Sequence, residues 1–146
     1  MDISIALREQ FASASWLLDQ TMEGVTPEVF RWRPPGALET IADNYLHTVV
    51  GTDQFVHGVL LKTSPLVAGA MAGKTGLSSI PGGAHGSEGW NEWVKSVQVD
   101  LPALRAYAKA VDAAIASYLG TLKPGDLDRP VDLASYGLGV DRKSVV

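Results

Sequence analysis

Apolar residues recur at steps of three and four from the start of the chain. Ile3, Leu7, Phe11, Ala14, Leu18 and Met22 form one stripe of a 3.6-residue period. That spacing predicts a helix from Asp2 to Glu23, with Asp2 as its N-cap and Gly24 as its stop. Thr26 can cap a short turn opened by Pro27 at a first helical position. Trp32, Pro34, Pro35 and Gly36 then predict an extended connection, because proline disfavours helix in the residue before it.

A second helix is expected from Thr40 to Leu61. Thr40 with Asp43 three residues on resembles a capping box, with aspartate in place of the usual Glu or Gln. Ile41, Tyr45, Val49, Val56 and Val59 mark one apolar face. Asn44, His47, Gly51, Gln54 and Gly58 mark a second seam of polar and small residues, the wall of a candidate pocket. Residues 62–87 are rich in Gly, Ala, Ser and Pro, with a short helix expected around Pro65–Ala72. A link that long exceeds the usual helix–helix connection and predicts a crossover or lid.

Ser87 is placed to cap a segment carrying Trp90, Trp93, Val94 and Val97. A third long helix begins near Asp100, with Pro102 tolerated in its first turn. Its seam is Leu101, Leu104, Ala108, Val111, Ile115, Tyr118 and Leu122, and its wet face is Arg105, Lys109 and Asp112. A break is expected between these two segments. Residues 123–140 read as turn and extended chain, and Asp141 as the cap of a further helix. No stretch alternates with period two over a useful length, so the fold class is all-α.

Composition narrows the function. At 146 residues, 46% apolar and 19% charged, the chain reads as one globular domain over 1–146. Net charge is −4 and the 12 Lys and Arg are scattered, which argues against nucleic acid as a partner. Cysteine is absent, so disulfides, thiolate nucleophiles and thiolate-bound zinc are excluded together. The N-terminus lacks the basic and apolar regions of a signal peptide, and no apolar run approaches the ~20 residues of a membrane span. A soluble cytoplasmic protein with no membrane partner is the expectation.

Two motifs carry a resemblance. Helix one is followed by a W-x-P-P-G turn and a capped helix bearing a histidine (Trp32, Pro34, Pro35, Gly36, Thr40, His47). An Asp126–Val131 phrase, DLDRPV, follows the third long helix. In order and spacing the chain resembles the DinB/YfiT-like superfamily of metal-dependent four-helix bundles. The resemblance implies an up-up-down-down bundle with a long crossover between helices two and three, where 62–87 falls. It also implies three histidines around a divalent metal, commonly nickel or zinc. One would lie on helix two and two, four residues apart, on the last long helix.

His47 matches the first of those positions. An H-x-x-x-H pair on a helix beginning near Asp141 has no counterpart before Val146, and the fourth helix reads as cut off at the C-terminus. Some relatives are thiol-dependent transferases or isomerases. A low-molecular-weight thiol cofactor, a small electrophilic substrate and a homodimer are therefore expected by resemblance. The metal would polarise a bound water or thiolate and lower its pKa.

Other candidates weigh less. His47 itself reads either as a ligand or as a polar histidine bonded near the core. His57 shares a face with Asp53 at i, i+4 and reads as half of an exposed ion pair. His85 lies in a glycine-rich loop, and the 69–86 loop lacks the spacing of a phosphate-binding loop. Trp90, Trp93 and Tyr107 read as packing before pocket lining. Asp126, Asp128 and Arg129 read as turn residues with a local ion pair. The competing class is a helical interaction module without catalysis, with Leu46, Val50 and Leu61 as the apolar face of a dimer contact.

Overall fold

The computed structural model describes residues 3–36, 39–83, 87–134 and 140–141. The helices are α1 (Ile3–Thr21), α2 (Pro27–Arg31), α3 (Ile41–Asp53), α4 (Glu88–Ser96) and α5 (Leu101–Thr121). α3 runs without a break into a π-helical segment, Gln54–Leu61, so the helix expected over 40–61 forms with a wider last two turns. β1 (Val131–Asp132) and β2 (Val140–Asp141) pair antiparallel, Val131 opposite Asp141. Asp141 therefore lies in a strand, and the helix expected after it falls outside the described residues. Two residues per strand are too few to leave an alternating pattern in the sequence.

Capping residues set the helix starts. Thr26 accepts from the Val29 N–H, and Thr40 and Asp43 form the reciprocal capping box. Ser87 accepts from Trp90 N–H and Asp100 from Ala103 N–H. α1 stops before Gly24, whose φ of 71° suits a residue without a Cβ. Asp2 lies outside the described residues.

α3 is the central helix: α2, α4 and α5 all pack on it, and α1 lies along α5. That central place buries more of α3 than one stripe. Tyr45 and Val49 are buried as expected, and so are Leu46 and Val50, both with no exposure at all. Leu46 and Val50 of the face assigned to a dimer contact are thus core, in the cluster that α2, α4 and α5 build on α3; Leu61 alone of the three is exposed. Phe30 meets Tyr45 edge-on at 6.2 Å, and Trp90 and Trp93 pack 5.0 Å apart. The Arg31 guanidinium donates to the carbonyls of Val94 and Val97, which anchors the end of α4 to α2.

The crossover is built of turns. Residues 65–72 form successive turns instead of the expected short helix, held by bonds such as Met71 N–H to Leu66 O at 2.9 Å. Farther on, Leu77 bridges Val99, and Gly76 accepts from Asp100 N–H at 2.8 Å. A Cβ on Gly76, at φ 75°, would run into the Asp100 carbonyl and lie 2.7 Å from the Leu104 nitrogen. The close approach of backbone to the start of α5 requires glycine there. Among the described residues no helix is long and apolar enough to cross a membrane.

Candidate functional site

Asp53 stands seven residues after Leu46, four after Val49 and three before Val56, inside the apolar stripe of α3. It is fully buried. A buried carboxylate is costly unless its oxygens are satisfied, and here they are. Oδ1 accepts from Leu66 N–H at 2.9 Å and lies 2.7 Å from His57 Nδ1; Oδ2 accepts from Val67 N–H at 2.9 Å and the Tyr107 hydroxyl at 2.6 Å. Four donors account for the roughly four lone-pair sites of a carboxylate.

The chemistry of this centre follows from who donates. A carboxylate only accepts, so Nδ1 of His57 carries the hydrogen, with the Asp53 carbonyl 3.2 Å away. The Asp53–His57 pair expected from the i, i+4 spacing therefore forms, but buried, with the crossover folded over it. Burial, the hydrogen bond to Asp53 and the carboxylate's charge all push the Tyr107 phenol well above its ordinary range. Among the described residues no buried side-chain nitrogen or oxygen lacks a partner. A carboxylate so fully engaged holds the crossover to α3 and α5.

His47 occupies a different place. It is exposed on α3, edge-on to Trp90 at 6.1 Å and an interplanar angle of 89°. Gly51 lies one turn on, and a Cβ there would stand 3.5 Å from Nδ1. The neighbours in the polar seam stay wet or half-buried: Asn44 and Gly58 are exposed, Gly51 and Gln54 intermediate. His85 lies outside the described residues, so its loop position carries no geometry.

Among the described residues no group of three or more His, Cys, Asp or Glu side chains is placed to hold an ion. The oxygens of Asp53 are already taken, and His57 shares them. His47 is one donor, and one imidazole does not hold a divalent ion against water.

A family model described as the DinB superfamily matches residues 10–143. The chain belongs to the DinB superfamily. Among solved structures, it is similar to a conserved protein from Enterococcus faecalis. The two share 20% identity and a TM-score of 0.75, over 99% of this chain and 85% of that one. At that identity the likeness shows the fold, an all-α DinB-like bundle. No curated protein matches the chain.

The remaining candidates resolve as packing or turns. Trp90, Trp93 and Tyr107 are buried in the core, and Trp93 Nε1–H donates to Ser79 O at 3.1 Å. Arg129 pairs with Asp126 three residues earlier. Reading the sequence alone missed the Asp53–Tyr107 bond. Its signal was an aspartate in phase with valines and leucine, since an acidic residue inside an apolar stripe needs buried partners.

Proposed function

We propose that this DinB-superfamily bundle binds a divalent metal, nickel or zinc, with His47 as one ligand. In this reading it acts as a transferase or isomerase on a small electrophilic molecule, with a low-molecular-weight thiol as partner. The observation that supports it is the exposed imidazole of His47 on α3, beside Gly51, at the helix-two position of the family pattern. The other donors have to come from outside the described residues or from a partner chain.

Elemental analysis of protein purified without a histidine tag tests this directly. Stoichiometric nickel or zinc is expected, and His47→Ala should lose it. Metal-free protein, or unchanged content in His47→Ala, overturns the reading.

A second reading, a helical interaction module or homodimer without metal, is favoured by α1. None of that helix's residues is fully buried, and Trp16 and Leu17 are 61% and 58% exposed. Light scattering separates the two: a metal-free dimer that Trp16→Glu dissociates supports the module, and a monomer that binds metal supports the first reading.

A further inference from the structure

Asp112, expected on the wet face of α5, is half-buried beside Ser15 of α1. It lines a cleft of about 270 Å³ between α1, α3 and α5. Phe11 and Val111 contribute apolar wall, and Ser15, Thr48, Thr52 and Asp112 contribute the polar lining. Asp112 is the one charged residue in that lining. Among the described residues no Lys or Arg pairs with it: Arg105 engages Asp19 and Glu23, and Lys109 reaches Asp19. Burial raises the Asp112 pKa, the Ser15 hydrogen bond works against this, and the like charge of Asp19 adds to it.

The hydroxyls bear on the ligand chemistry. Thr48 Oγ1 donates to the Asn44 carbonyl at 2.9 Å, and Ser15 lies beside Asp112. With the Thr48 hydrogen committed, its oxygen offers lone pairs, and an ammonium group is donor-only. An anion would meet the like charge of the carboxylate. The volume lies just under the roughly 300–1,000 Å³ of ordinary ligand pockets, so the ligand is small.

We propose that this cleft binds a small protonated alkylamine, its ammonium on Asp112 and the Ser15, Thr48 and Thr52 oxygens, its apolar body against Phe11 and Val111. The inference does not rest on the His47 reading, since no metal enters it.

The test titrates n-hexylammonium chloride into the full chain by calorimetry, in the presence of EDTA, with hexan-1-ol and hexanoate as controls. Saturable binding of the ammonium, tighter than either control, is expected. Asp112→Asn should weaken it roughly tenfold or more, the effect of removing a charge-assisted hydrogen bond. Ala14→Phe, at an exposed position in the cleft lining, should weaken it while leaving Asp112 in place. Should Asp112→Asn fail to fold, Ala14→Phe and the hexanol comparison decide. Equal binding of hexanol, undiminished binding by either folded variant, or no saturation overturns the proposal.

Discussion

Tyr107 donates its phenolic hydrogen to Oδ2 of Asp53 across 2.6 Å, and neither residue has measurable solvent exposure. The bond ties the middle of α5 to the end of α3. Through the same carboxylate it also ties both helices to the crossover at Leu66 and Val67. Tyr107→Phe removes one donor to a charged acceptor and should cost about 1.5–3 kcal/mol in urea unfolding. Asp53→Ala orphans two backbone N–H groups as well as the tyrosine and histidine, and should cost more, about 3–5 kcal/mol. A double-mutant cycle should give a clear coupling term; strict additivity would count against the network.

Gly76 is a second fixed point of the crossover. Its φ of 75° and the backbone against it leave no place for a methyl group. Gly76→Ala should destabilise by roughly 2 kcal/mol or more, since a strained φ and a backbone clash add. Thermal unfolding measures it. Gly125→Ala, where a Cβ meets nothing within 4 Å and φ is not positive, is the control expected to change little.

Asp19 on α1 accepts from Arg105 on α5 at 2.8 Å, and Glu23 joins the same guanidinium at 3.0 Å. The Arg105 hydrogen bond holds the Asp19 carboxyl below its ordinary 3.8. A depressed carboxylate stabilises the fold above its unfolded value, and that contribution disappears as pH falls through the folded value. Asp19→Asn should therefore cost about 1 kcal/mol or less near neutrality, the pair being partly exposed. The difference from wild type should vanish once the pH falls well below 3.8. Chemical denaturation at a series of acid pH values checks the convergence.

Tyr45 gives the alkaline limb. Burial, followed by the charge of Asp19, pushes its phenol up to about 12. A raised phenol contributes fully below its unfolded value of 10.0 and loses that contribution as pH rises towards about 12. Tyrosinate absorbance should show a component near that value in the folded protein. Tyr45→Phe should delete this component, and its appearance near 10 in the wild type would contradict the burial account.

Much of the architecture was legible because helix caps and apolar periodicity act locally. Thr26, Thr40 and Ser87 cap the helices expected after them, α5 begins next to Asp100 as its spacing predicts, and the break before Pro102 separates α4 from α5. Membership of the DinB superfamily follows the same linear order of turn, capped helix and long crossover. His47 could be located on its helix for the same reason.

The sequence by itself thus determined the long helices, their starts and the family, whereas the short helix expected at 65–72 is turns and Asp141 lies in a strand. Only the tertiary structure decided burial and partnership. Leu46 and Val50 became core because α2, α4 and α5 all pack on α3, and His57 became buried where the crossover bonds to the Asp53 beside it. Asp112 left the wet face because α1 lies against α5. Periodicity reports which residues share a side of one helix, whereas the charge and water at that side depend on which distant segment packs there.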